Sequence, residues 1–570
     1  MVYSSDRRRA AGVPFGGGIA QLGERLAGSQ KVTGSSPVTS TTSLPSQPPL
    51  DGVGTRSPIH GLLPLVFLAG IGSMATEICA SRLLAPYYGS STVVWANIIG
   101  LILAALSVGY WLGGRLADRR PSPRLLGLLV EAAAVLIAVI PFVARPFLDA
   151  SIGGIETLSA GAVVGSFVAS LLLFAPPVVL LGMVTPFAIR LGVTGIDAAG
   201  VAAGRVFALS TAGSLLGTFV PALVTIPLIG TQRTMIGAAA VVALAGTTLL
   251  GRRWLVAPLV LALLLAVPPG FVKPQAGVIY EAESAYQFIQ VVQQGSPTQG
   301  DLVRYLYLNE GYAVHSEWRP DTALTGGEWD MFLTLPALLG RTPRRVLMLG
   351  NAGGTTARAY GVYFPSVPYD GVEIDGRVTA VARRYFGLGD NPLLTVYTAD
   401  ARPYLRTTRR RYDLIMIDAY RQPYIPFYLA TRQFFALCRQ RLAPGGIVAL
   451  NVSTVPGDTR LADGIAGTLR SAFPEVLAWQ ALRFNQLVVG LSPGAAAPLP
   501  ELRRRLAAAD TPVALRPLTR LLAAQAQPRG PARDPWTDDR APVEWITDAT
   551  IVDYAVRGRQ LDEHLLPTAP

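Results

Sequence analysis

Between residues 61 and 269 the sequence passes through seven apolar runs, at roughly 61–81, 93–114, 125–144, 159–189, 203–229, 234–250 and 254–269, separated by short polar loops. A helix needs about 20 residues to cross a bilayer core, and several of these runs are that long. The pattern predicts an all-α, multi-span membrane domain over residues 58–272 with about seven helices. The fourth run is broken at Pro176-Pro177, which leaves room for an eighth crossing or a re-entrant piece, and the last two runs are short. Composition agrees: 50% of residues are apolar, 15% are charged and the mean hydropathy is +0.38, values that exclude a disordered chain and argue against an all-soluble one.

The net charge of +12 is not a nucleic-acid signal once it is divided along the chain. Residues 276–570 carry thirty-one basic and twenty-eight acidic side chains and are nearly balanced, whereas residues 58–275 carry twelve and six. The excess there lies mostly in short loops, so no nucleic-acid partner is expected, and the lipid bilayer is. Arg115, Arg119, Arg120 and Arg124 between the second and third runs place that loop in the cytoplasm by the positive-inside rule, and Arg190, Arg205 and Arg252-Arg253 fall on alternate loops. Seven spans would then put residues 276–570 outside. A multi-pass cell-membrane protein with a cytoplasmic soluble half is the expectation, and it requires a different count. Two cysteines and three histidines are too few for a disulfide framework or a Cys/His zinc site, so no metal is expected. Residues 1–57 are rich in Gly, Ser, Thr and Pro, and Gly18–Arg25 through Val32–Thr39 resembles a transfer-RNA gene translated by mistake. This segment is expected to be a disordered or mis-annotated extension.

Within the apolar region, Gly113-Gly114-Arg115-Leu-Ala-Asp118-Arg119-Arg120 resembles the cytoplasmic loop signature of major facilitator transporters. Glu77, Arg82 and Glu131 lie in or near the spans, where an ionisable group is either a functional site or an interfacial ion pair.

Beyond 275 the pattern changes. Tyr280–Val292 and Leu302–Leu308 alternate and predict a small antiparallel β region over 276–340. Arg345–Leu349 is a short buried strand followed by the glycine turn Gly350-Asn-Ala-Gly-Gly-Thr-Thr356 and a helix, the opening of an α/β Rossmann-like domain over 341–494, with a tail over 495–570. The next strand ends at Glu373, about twenty residues after the glycines, where a carboxylate can accept from both ribose hydroxyls. Further strands lead to Asp400 and Asp418. Carboxylates at successive strand ends of a parallel sheet converge on one crevice, although each alone could simply cap the next helix.

The run Tyr280–Val455 resembles the spermidine synthase family of polyamine aminopropyltransferases, and residues 61–550 resemble its membrane-fused branch, including the tail Thr537-Asp-Asp-Arg-Ala-Pro-Val-Glu544. The resemblance implies a class I methyltransferase-type fold. It implies decarboxylated S-adenosylmethionine as co-substrate, no permanently bound cofactor, and a small-molecule amine as partner. It implies nucleoside contacts from Gln287, Gly350, Ala352, Gly354 and Glu373, an adenine contact from Asp400, and catalysis by Asp418. An ammonium cannot attack carbon until it loses a proton, so a carboxylate there has a clear duty. The sequence departs from the family where the glycine turn reads Ala352-Gly353 instead of carrying an Asp, and where Arg421 rather than a second acid follows Asp418. Glu328, Asp330 and Tyr420 are the candidates for restoring an amine site. Soluble relatives are dimers or tetramers, which makes a homo-oligomer possible. The alternatives are an S-adenosylmethionine-dependent methyltransferase on the same fold, and a transporter or sensor whose soluble half only binds a nucleoside.

Overall fold

The computed structural model describes residues 61–88, 92–155, 161–193, 199–267, 272–296, 298–309, 313–421, 424–508, 511–532 and 534–556. The expected extension 1–57 lies outside them.

The apolar runs fold into α1 (Leu62–Tyr88), α2 (Thr92–Arg119), α3 (Pro123–Ile155), α4 (Gly161–Leu173), α5 (Ala175–Gly182), α6 (Val184–Gly192), α7 (Ala199–Val220), α8 (Ile226–Ile229), α9 (Thr231–Leu250) and α10 (Val256–Leu264). Among the described residues, six helical stretches are long and apolar enough to cross a membrane, the fourth formed by α5 with α6 and the fifth by α7 through α8. The proline pair falls where α4 gives way to α5, and a π-helical turn over Pro221–Thr225 accommodates Pro221 inside the fifth stretch. Among the described residues the seventh run forms a 3-10 turn, Arg252–Leu255, and the short α10.

Large apolar side chains such as Leu103, Trp111, Phe207, Phe219 and Leu228 point outward from this bundle, the inverse of a water-soluble surface. Inside, helices approach over glycine: a Cβ at Gly213 or Gly217 would stand 2.1 or 2.2 Å from a carbonyl oxygen of α1, so α1 and α7 pack backbone against backbone, as small residues four apart allow in membranes. In the transporter-like loop, Gly113 lies against Met183 and Asp118 pairs with Arg190 at 3.1 Å. Glu131 is buried against Gly246, and one of its carboxylate oxygens has no hydrogen-bond partner among the described residues.

The bundle has two distinct ends. At one, Thr248 Oγ1 donates to the Gly61 carbonyl at 2.9 Å and Arg190 meets Asp118, so the arginine loops gather there. At the other, Tyr87 Oη donates to the Val272 carbonyl at 2.9 Å and Arg82 donates to the Ala285 carbonyl. Thr248 and Val272 therefore stand at opposite ends of α1, and the soluble half docks at the second.

The soluble half begins with a four-stranded antiparallel sheet in the order β1 (Val278–Glu283), β2 (Phe288–Gln294), β3 (Val303–Leu308) and β4 (Val314–Trp318). An eight-stranded sheet follows, built from β5 (Val346–Leu349), β6 (Tyr369–Glu373), β7 (Leu394–Thr398), β8 (Tyr412–Ile417), β9 (Leu442–Ser453), β10 (Glu475–Leu482), β11 (Asn485–Leu491) and β12 (Gln527–Pro528). Its order is β12-β10-β11-β9-β8-β5-β6-β7. Strands β9, β8, β5, β6 and β7 are parallel, and β11, β10 and β12 add to the β9 edge antiparallel. β5 and β8 are buried throughout, the continuous apolar reading of a sheet covered on both faces. The chain runs from β5 through β6 to β7 and then returns to β8 on the other side of β5. That reversal opens a crevice at the strands' carboxyl ends, where ligands of such sheets bind.

Candidate active site

The glycine turn leaves β5 with Gly350 at φ +86° and Gly354 at φ +83°. A Cβ on Gly350 would stand 2.3 Å from the Asp418 carbonyl oxygen, so only glycine allows the turn to lie against the end of β8. Ala352 sits at φ +42° between them, a left-handed conformation that costs an L residue about 1–2 kcal/mol. Its N–H donates to Glu373 Oε2 at 2.9 Å, and the Asp375 N–H donates to Oε1 of the same carboxylate at 3.1 Å. These bonds fix Glu373 while leaving it lone pairs for a diol. Burial pushes its carboxyl up to about 7 against the pull of those N–H donors. β4 clasps the turn from outside: Ser316 Oγ accepts from the Gly353 N–H at 2.8 Å, and Thr355 Oγ1 bridges the Glu317 N–H and carbonyl at 3.0 Å each.

Asp375 was not singled out in the sequence. It caps the helix Gly376–Tyr385 through the Arg377 N–H at 2.9 Å, and its Oδ2 accepts from Ser284 Oγ at 2.5 Å and from Gln287 Nε2 at 3.4 Å. Gln287 thus reaches the Glu373 corner through Asp375, two residues further along the chain. Asp400 takes the capping role: Oδ1 accepts from the Arg402 N–H at 2.9 Å and Oδ2 from Tyr428 Oη at 2.9 Å. The tail closes behind it, with Asp538 forked onto Arg402 at 2.9 and 2.6 Å and accepting from Thr431 Oγ1 at 2.7 Å.

Asp418 follows β8 directly. Its Oδ1 accepts from Asn451 Nδ2 at 3.0 Å, and Asn451 Oδ1 accepts in turn from Asn485 Nδ2 at 3.1 Å. Burial raises the Asp418 carboxyl to about 6, with the Asn451 bond opposing the rise. Tyr420 donates to the Asn451 carbonyl at 3.0 Å and accepts from the Ser453 N–H at 2.7 Å, so its hydroxyl locks β8 to β9. The only sequence signal for Asn451 was an amide inside an apolar strand.

Glu328 opens the helix Glu328–Met331. Burial, and then the negative charge of Asp418, push its carboxyl up to about 8, which places the two acids in one electrostatic neighbourhood. Asp330 is spent on the preceding loop, accepting from the Gly326 N–H at 2.7 Å and the Thr325 N–H at 3.0 Å. Of these two acids Glu328 is the one whose carboxyl feels the Asp418 charge. Glu317 is buried beneath Arg319 at 2.6 Å. Arg421 stands toward Tyr428, whose hydroxyl feels its charge, on the Asp400 side of the crevice. Among the described residues no group of three or more His, Cys, Asp or Glu side chains is arranged to hold a metal.

A protein of Bifidobacterium longum described as a probable polyamine aminopropyl transferase is 34% identical over 206 residues, covering 36% of this chain and 44% of that one. The mouse eEF1A lysine and N-terminal methyltransferase is 30% identical over 149 residues, 24% of this chain and 21% of that one. The chain thus spans less than half the length of either. A solved structure, a probable spermidine synthase from Corynebacterium glutamicum, aligns over 50% of this chain and 96% of that one with 18% identity and a TM-score of 0.34. Residues 328–481, which hold Glu328, the glycine turn, Glu373, Asp400 and Asp418, match the family described as the spermine/spermidine synthase domain.

Proposed function

We propose that this chain is a membrane-anchored aminopropyltransferase that moves the aminopropyl group of decarboxylated S-adenosylmethionine onto an amine, with Asp418 as base. The observation that carries the reading is the division of the crevice: a glycine turn and a fixed Glu373 suited to a nucleoside on one side, and the Asp418–Glu328 pair suited to an ammonium on the other. At neutral pH Asp418, raised to about 6, is ionised and attracts the ammonium. Glu328, raised to about 8, keeps its proton, so the two do not repel. The amine gives one proton to Asp418, and its freed lone pair attacks the propyl carbon attached to the sulfonium. The carbon–sulfur bond breaks with its electrons going to sulfur, and methylthioadenosine leaves. No acid is needed for the leaving group, because a sulfonium departs as a neutral thioether.

The test is incubation of the detergent-purified full chain with decarboxylated or ordinary S-adenosylmethionine against a panel of amines, products being read by mass spectrometry and Asp418→Asn run beside it. An aminopropylated amine with methylthioadenosine, lost in Asp418→Asn, is the expected result. A methylated product with S-adenosylhomocysteine overturns the reading in favour of a methyltransferase. Nucleoside binding without turnover from either donor overturns it in favour of a transporter or sensor, in which Glu131 of the bundle is the next residue to change.

A further inference from the structure

The donor side of the crevice is held from two directions, and one of them is the helical bundle. The turn between β1 and β2, residues 284–287, lies between the bundle end and the Glu373–Asp375 corner. On its bundle side, Glu283 accepts from both the backbone N–H and the hydroxyl of Thr231, the latter at 2.6 Å, so that a carboxylate of the soluble half closes the N-terminus of α9. Such a position satisfies an orphan N–H and complements the helix dipole. Arg82, near the end of α1, donates to the Ala285 carbonyl, and Arg377, in the first turn of the helix after Asp375, donates to the Pro227 carbonyl of α8 at 3.2 Å. On its other side, Ser284 is buried, donates to Asp375 Oδ2 at 2.5 Å and accepts from the Gln287 N–H at 3.0 Å. Asp375 then donates its N–H to Glu373 at 3.1 Å. Hydrogen bonds and single covalent steps thus run without a gap from Thr231 through Glu283, Ser284 and Asp375 to Glu373.

We infer that this polar strap makes the bundle part of the nucleoside-binding apparatus: Thr231, Glu283 and Ser284 are positioning residues that set the donor affinity of the soluble half. The inference rests on the reading of Glu373 as a nucleoside ligand. None of the three residues sits at the Asp418 side, so loosening the strap weakens donor binding without slowing the saturated reaction. Linkage makes the effect reciprocal, so a nucleoside in the crevice must also steady the first turn of α9.

The test titrates methylthioadenosine into the full chain in detergent and measures donor KM and kcat for wild type, Thr231→Val, Thr231→Ser, Glu283→Gln and Ser284→Ala. Ser284→Ala and Glu283→Gln are expected to raise the dissociation constant and donor KM about tenfold with kcat within about twofold, Thr231→Val by a few-fold, and Thr231→Ser, which keeps both bonds, not at all. Unchanged affinity in every variant overturns the strap, as does an equal loss in Thr231→Ser. Hydrogen exchange on the wild-type chain supplies a measurement that no variant can spoil by misfolding: methylthioadenosine should slow exchange in the first turn of α9, and protection confined to the soluble half overturns the coupling. A wild-type chain that binds no methylthioadenosine fails at the earlier step, the nucleoside reading itself.

Discussion

On the proposed donor side of the crevice Glu373 is held by backbone N–H groups of Ala352 and Asp375, and the turn around it owes its course to glycines that let the chain lie against β8. On the proposed acceptor side Asp418 is held by a side chain, Asn451, brought from thirty-three residues away, and its charge bears on Glu328, whose carboxyl burial raises to about 8. The donor side is thus written mainly in backbone geometry and the acceptor side in ionisable groups. Side-chain substitutions and pH should therefore strike the two differently, the donor side through KM and the acceptor side through kcat.

The largest effect expected is from Asp418→Asn, which keeps the shape and removes the base: kcat should fall by about 10²–10⁴ with donor KM little changed. A variant retaining more than a tenth of wild-type kcat would remove Asp418 from the mechanism. Next is Glu373→Gln, which should raise donor KM by about ten- to a hundredfold while leaving kcat within a few-fold. A loss confined to kcat would collapse the distinction between the two sides. The pH profile should separate them again. Asp418 takes up its proton below about 6, so kcat should rise roughly tenfold from pH 5 to pH 7 and then level. Glu373 protonates already below about 7, so donor affinity should begin to weaken at a higher pH than kcat does. Coincident midpoints would mean that one group governs both. The smallest effect belongs to Glu328→Gln. At pH 7 the carboxyl it replaces, raised to about 8, still holds its proton, and an amide is a fair copy of that form, so kcat should change by less than about twofold. A larger fall would mark Glu328 as a working anion.

The parts of this architecture that were readable in the sequence are those in which neighbours in the chain are also neighbours in space. The apolar runs, the turn after β5 and the strand ends at Glu373 and Asp418 are local, and periodicity or spacing reveals them. The site's support is not local. Ser284 meets Asp375 across ninety-one residues, and Asp538 meets Arg402 across one hundred and thirty-six; no short pattern encodes either pairing. Asp400 illustrates the opposite difficulty, since a carboxylate before a helix reads equally well as ligand or as cap, and here both its oxygens are engaged by the Arg402 N–H and Tyr428. Likewise Asp330 and Tyr420 carry the right chemistry for a substrate, but their polar atoms are committed to a loop and to β9. The helical region was legible in outline because seven runs are visible, yet among the described residues six stretches are long enough to span alone, since there the seventh run forms a 3-10 turn and the short α10.

The separation of the two ends of the bundle has a consequence for compartments. The chain enters the bundle beside Thr248, among the arginine loops, and leaves it beside Tyr87, where the soluble half is seated. A bilayer wrapped around the bundle would separate the two, and the arginine loops and the soluble half would then face opposite compartments. With the arginine loops inside, as the charge rule at Arg115–Arg124 would have it, the crevice would face the exterior; with the crevice inside, eight loop arginines would face outward. A reporter inserted after Ser122 and another fused beyond Val556 should report opposite sides, and reporters on the same side would mean that no bilayer runs between Thr248 and Tyr87.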